Sequence, residues 1–253
     1  MTKISRRELA RLAALAGVGA LLPSRASALG PHTAFTIGRI KYDGDWNPRP
    51  NAARRIMAEV AKATSVETTD APDDLAADDP AIFQRPFLYL SGAGEFPKFS
   101  AKERDGLTRF LRYGGFLLVD NASGEPEGAF DQGFRREIGS ILPDAKMGRL
   151  DDDHSIFRSF FLVSRVVGRL ADRGYLEGIT LADWTPIVYA SNDLGGALER
   201  DPFGNYRFDV TPGGEEQRSW ATRLAVNLVL YALTVNYKKD QIHVEAILRR
   251  RRR

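Results

Sequence analysis

Residues 86–121 read PFLYLSGAGEFPKFSAKERDGLTRFLRYGGFLLVDN. The runs FLYL (87–90) and FLLV (116–119) are short, continuously apolar and bounded by turn residues. That is the pattern of strands buried on both faces. Between them Ser100 is followed three residues on by Glu103, a capping box that opens a helix reaching Tyr113. Gly114 and Gly115 stop it. Two doubly buried strands joined by a helix form the unit from which a parallel sheet covered on both faces is built.

The same alternation extends in both directions. FTIGRI (35–40) reads as a strand. Residues 51–63 read as a helix entered through Pro48 and Pro50, with Ile56, Met57 and Val60 as its apolar stripe. Residues 66–69 form a β-branched run. A helix is expected over 130–141, a strand over 186–190 (PIVYA), and a long, largely buried helix over 220–237. The expected fold is α/β: a three-layer, mostly parallel sheet with helices on both faces, in one domain over residues 33–248.

The chain has 253 residues, 43% hydrophobic and 27% charged, which is a globular composition. It has no cysteine, so disulfides, thiolate metal sites and a cysteine nucleophile are excluded. The net charge of +3 comes from the ends. Five Lys or Arg and one acid (Glu8) lie in residues 1–28, and residues 249–253 are all arginine. The body between them carries 26 basic and 32 acidic residues, a net of −6. A nucleic-acid partner would ask for the opposite sign on a folded face, so none is expected.

The first 28 residues read as an address. Arg6 and Arg7 form a twin-arginine pair, an Ala/Gly-rich apolar stretch runs from Leu12 to Leu22, Pro23 ends it, and Ala26-Ser27-Ala28 is a small-x-small cleavage site. This is the pattern of a twin-arginine signal peptide cut after Ala28. The apolar stretch is too short to span a bilayer. A periplasmic mature chain with no transmembrane segment is expected. The arginines of 249–253 form a basic tail.

Ligands of open parallel sheets bind beyond the carboxyl ends of the strands. That rule selects Tyr42, Asp43, Asp45 and Trp46 after the first strand, and Gly92 after FLYL. It selects Asp120 and Asn121 after FLLV, and Ser191 and Asp193 after PIVYA. All nine are expected to converge at one edge, where crowded carboxylates favour a cation or a polyhydroxyl ligand. Turns and helix caps use the same residue types. His154, following three aspartates, is a candidate general base beside Asp120, or a loop brace. Asp43-x-Asp45-x-Asn47 opens like a calcium loop, but Pro48 stands where Gly is needed and Arg54 where Glu is needed. The nucleotide-binding glycine patterns and the G-x-S-x-G elbow are missing. No metal site or cofactor is expected.

Several separated motifs carry a resemblance. They are Phe35-x-x-x-Arg39-x-x-Tyr42 with Trp46, then Pro86 to Gly92, then Leu111-x-x-Gly114-Gly115-Phe116-Leu117-Leu118-x-Asp120. Asp153 to Phe157, Val188 to Asp193, and Asn227-x-x-x-Tyr231-Ala232-Leu233-Thr234 extend it. The chain resembles the bacterial domain of unknown function 4159, which is similar to the class I glutamine amidotransferase-like fold and its ThuA-like branch. The resemblance implies a flavodoxin-like sheet. At the turn where amidotransferases carry their cysteine, this chain has Asp120, so glutaminase chemistry through a thioester is excluded. Two roles are left open. One is a non-catalytic module of the cell envelope that binds a small molecule or an envelope protein. The other is a hydrolase acting on a carbohydrate-like substrate through Asp120 and His154. On the binding reading, Asp120→Asn is expected to leave the fold intact or slightly stabilised.

Overall fold

The computed structural model of the protein describes residues 34–251, with side chains as far as Thr234. The twin-arginine pair Arg6 and Arg7, the cleavage site after Ala28 and the side chains of the 249–253 tail lie outside the described residues.

Among the described residues seven strands form one sheet. They are β1 (Gly38–Lys41), β2 (Asp73–Ala76), β3 (Phe87–Gly92), β4 (Phe116–Asn121), β5 (Gly148–Arg149), β6 (Glu177–Leu181) and β7 (Trp184–Ala190), in the order β2-β1-β3-β4-β7-β6-β5. β2, β1, β3, β4 and β7 run parallel to one another, while β6, antiparallel to β7, and β5 add an antiparallel margin. The helices are α1 (Ala52–Ala63), α2 (Ala101–Arg112), α3 (Ala129–Ile141), α4 (Leu194–Leu198) and α5 (Gly214–Arg251). This is the expected three-layer, mostly parallel α/β sheet.

Alternation along the central strands divides the core in two. Phe87, Tyr89, Phe116, Leu118, Val188 and Ala190 face α1 and α5. Leu88, Leu90, Leu117, Val119, Ile187 and Tyr189 face α2 and α3. Every residue of β3, β4 and β7 is buried, which explains their unbroken apolar runs. The capping box of α2 forms as its sequence predicts. Ser100 Oγ accepts from Glu103 N at 3.2 Å, and Ser100 N donates to Glu103 Oε2 at 2.7 Å. Gly114 follows the helix at φ +110°, a conformation that favours glycine.

Some elements depart from expectation. The first strand begins at Gly38, and Phe35 makes only an isolated parallel bridge to Thr68. The run 66–69 is therefore not a strand. The pairing strand beside β1 is the polar β2. α5 starts six residues earlier than expected, at Gly214. None of the described helices is long and apolar enough to cross a membrane.

Candidate functional site

Because β1, β3, β4 and β7 are parallel, the loops that follow them leave the sheet at the same edge. The nine residues named for that edge do lie in those four loops or at the strand ends. Their individual environments then separate them.

Tyr42 is a plug. Its ring is buried against Phe96, with centroids 4.7 Å apart, and its hydroxyl lies 2.9 Å from the carbonyl oxygens of both Asp45 and Ser91. Burial, with the nearby Asp45 charge, pushes its phenol well above the usual range. Gly92 is required by this plug: a Cβ there would stand 2.1 Å from the Tyr42 hydroxyl and 2.4 Å from Phe130. Asp43 and Asp45 face solvent. Trp46 is half-buried, with the Arg39 guanidinium 5.5 Å from its ring. Asn121 is buried and pins its own loop: its amide donates to Glu125 O at 3.1 Å, and its Oδ1 accepts from Ser123 Oγ at 2.7 Å. Ser191 is buried.

Asp120 and Asp193 form the centre of the edge, and both are completely inaccessible to solvent. Asp120 sits at the end of β4. Its Oδ1 accepts from Leu194 N at 2.8 Å, and its Oδ2 accepts from Gly195 N at 2.7 Å and from the Tyr89 hydroxyl at 2.7 Å. Burial, and then the charge of Asp193, raise its pKa to about 6 against the pull of these three donors. Its own burial, and then this carboxylate, push the Tyr89 phenol well upward. Asp193 adopts a left-handed conformation, φ +53°, and caps α4 by accepting from Gly196 N at 2.9 Å. Its charge is met by Arg49, whose Nη2 donates to Oδ2 at 2.6 Å, and by Arg169 Nε. Arg49 also donates to Ala122 O at 2.9 Å and lies 4.3 Å over the Phe208 ring.

The reading of Asp120 as an open binding carboxylate is therefore corrected. It has no accessible surface, and its oxygens hold the first turn of α4 and Tyr89. The lock ties β3, β4, the β7–α4 turn and the β1–α1 loop together. Among the described residues no three of His, Asp and Glu gather as a metal ion would need.

His154 lies at the other end of the sheet. Its Nε2 is 3.0 Å from Thr185 Oγ1 at the start of β7, and its Nδ1 accepts from Ile156 N at 3.2 Å. Asp120 pairs in register with Ala190, five residues further along β7. At about 3.3 Å per residue the two side chains are on the order of 16 Å apart. The acid–base pair of the hydrolase reading is thus not assembled, and the acidic run 151–153 does not reach the carboxyl edge. His154 caps a short 3-10 helix (Ser155–Arg158). Burial lowers its pKa, against the charges of Asp151 and Asp153.

Sequence reasoning missed Arg49, Arg169, Tyr89 and Glu199. Glu199 is fully buried and accepts from Asn51 N at 3.0 Å and Asn51 Nδ2 at 3.0 Å. The pairing of a buried carboxylate with an arginine 144 positions away leaves no local pattern. The one available signal for Arg49 was its place between two prolines in a loop of the selected edge.

An α/β protein whose carboxyl edge is closed by a buried ionic lock is the class that fold and geometry define. The chain belongs to the family described as a domain of unknown function, DUF4159, whose profile matches residues 36–233. No curated protein matches it. Two residues of one motif behind the resemblance have structural work here. Asn227 bonds Phe161 N and the carbonyls of Ile156 and Phe161, and the Tyr231 hydroxyl accepts from Thr185 N.

Proposed function

We propose that this chain is an exported protein of the cell envelope that serves as a non-catalytic binding or scaffold module on an amidotransferase-like fold. One observation carries the non-catalytic part. The carboxyl end of β4, at the place where amidotransferases bear their nucleophile, here bears a carboxylate with no accessible surface and three hydrogen-bond donors on it. A group that neither solvent nor substrate reaches cannot act as acid, base or nucleophile without the edge opening. Export through the twin-arginine route is supported by the Arg6-Arg7 pair, the Ala/Gly-rich stretch and the Ala26-Ser27-Ala28 site. The partner on this reading is a small molecule or another envelope protein.

Two measurements test it. Arg6→Lys with Arg7→Lys should hold the protein in the cytoplasm as the longer precursor. A mature form starting near Leu29 in the periplasm of that variant would overturn the export reading. A thermal-shift screen of sugars, divalent cations and cell-wall fragments should find ligands that raise the melting temperature and are recovered chemically unchanged. Turnover of a stabilising ligand would overturn the non-catalytic reading.

A further inference from the structure

Away from the carboxyl edge, a cleft of about 490 Å³ opens between the second half of α1 and the first turns of α5. Its size is that of a small-molecule site. Phe161, Arg200 and Tyr206 complete its lining.

The cleft is cationic. Lys62, Arg200, Arg218 and Arg223 line it against two acids, Glu59 and Glu215. One turn before Glu59 on the same side of α1, Arg55 keeps a buried Nε with no hydrogen-bond partner. The acids are already engaged. Glu215 accepts from Arg218 Nε at 2.9 Å, and Glu59 lies 3.9 Å from Lys62.

The cations differ in what they have left to give. Arg218 is spent on Glu215 and on the carbonyls of Ala197 and Phe208, and it forms a fixed wall. The Tyr206 ring is clamped between Arg218 at 3.7 Å and Arg200 at 3.9 Å, so its orientation is set. Arg223 is different. Its guanidinium rests 4.8 Å from the Trp220 ring and 6.0 Å from Phe161, and it makes no hydrogen bond or ion pair to any described residue. A planar fork held in place by aromatic faces, with its N–H groups uncommitted, is suited to bidentate capture of a carboxylate or phosphate.

We infer that this cleft binds a small organic anion, with its carboxylate or phosphate on Arg223 and an apolar body between Phe161 and Tyr206. The inference stands apart from the carboxyl-edge lock and does not depend on whether the protein is exported.

Phenyl phosphate, benzoate and neutral benzyl alcohol, titrated into the full chain by calorimetry and by tryptophan fluorescence, test it. The anions should bind saturably, at least about tenfold more tightly than the alcohol. The ratio of phenyl phosphate to benzoate affinity then tells which head group the cleft prefers. Arg223→Gln should weaken the anions by about tenfold or more with no change in melting temperature. Arg223→Lys, which keeps the charge and loses the fork, should fall between, and Lys98→Gln, away from the cleft, should have no effect. If the alcohol binds as well as the anions, if no probe saturates at millimolar concentration, or if Arg223→Gln and Arg223→Lys both bind as the wild type does, the inference fails.

Discussion

At Asp120 the count of hydrogens decides what a substitution does. The carboxylate receives three donors, from Leu194 N, Gly195 N and the Tyr89 hydroxyl. When it takes up a proton, the single new O–H can point at Tyr89, whose hydroxyl turns to accept it, and Gly195 keeps its acceptor. An amide in the same place brings two N–H groups to that position, and the second opposes the Gly195 N–H. Asp120→Asn should therefore destabilise the domain by about 2–4 kcal/mol in urea unfolding at pH 7. That reverses the outcome expected from charge crowding alone. The pH dependence separates this account from a general loss of packing. The folded carboxyl takes its proton near pH 6, well above its ordinary value of 3.8, so between those values the folded state binds more protons than the unfolded. This group then adds stability as pH falls from 7 to 5, by about 1 kcal/mol, and Asp120→Asn cannot. The gap between wild type and variant should widen at pH 5. A gap that stays constant or narrows would show that Asp120 does not titrate in this range.

α2 and α4 show which elements can be read from local sequence. α2 was legible because its determinants are its own: a capping box, an apolar face and a pair of glycines after its end. The central strands were legible because burial on both faces leaves an unbroken apolar run. β2 was not. It is a polar edge strand, Asp73-Asp74-Leu75-Ala76, formed by pairing with β1 rather than by its own propensity. β6 was missed because its hairpin to β7 turns through Ala182 at φ +57°, with none of the Asn-Gly or Asp-Gly chemistry that marks such turns. α4 was missed because it is five residues long and contains two glycines, a poor helix by composition. Its glycines reflect crowding. A Cβ on Gly195 would stand 2.5 Å from the Tyr89 hydroxyl, 2.8 Å from Asp120 Oδ2 and 2.9 Å from the Ala52 Cβ. Gly195→Ala should cost about 2–4 kcal/mol, because both the hydroxyl and the carboxylate are fixed by their bonds to each other. Gly139, on the exposed side of α3, would place its Cβ in open space. Gly139→Ala should stabilise by about 0.5–1 kcal/mol. Urea midpoints of the pair check both signs. Equal effects would show that helical propensity alone, not the crowding at the lock, sets the cost.

Across the whole molecule, topology carried the site prediction as far as topology can. Parallel strands put the chosen loops at one edge, and that much was readable. Whether the edge is open depends on side chains brought from distant segments. Asp193 is covered by Arg49 and Arg169, and Asp120 by Tyr89 and the turn after β7, and none of these pairings leaves a mark on the neighbouring sequence. The opposite edge has its own polar network. His154 meets Thr185, Thr185 Oγ1 lies 2.9 Å from Thr180 Oγ1, and Thr185 N donates to Tyr231. The two networks are separated by the length of β7 and share no residue, so they should behave independently. His154→Ala removes the cap of the 3-10 helix and the contact with Thr185, and should cost about 1–2 kcal/mol. Combined with Asp120→Asn, the two losses should add within about 0.5 kcal/mol, as expected for sites without common partners. Their pH responses should also run in opposite directions. Burial holds the folded His154 pKa below its ordinary value of 6.5, so the folded state resists protonation and His154 loses stabilising power as pH falls through that region. From pH 7 to 5 the gap between wild type and His154→Ala should narrow while the gap for Asp120→Asn widens. Urea unfolding of the four proteins at the two pH values measures both. A coupling well beyond the additive range would mean that the two edges communicate through the sheet.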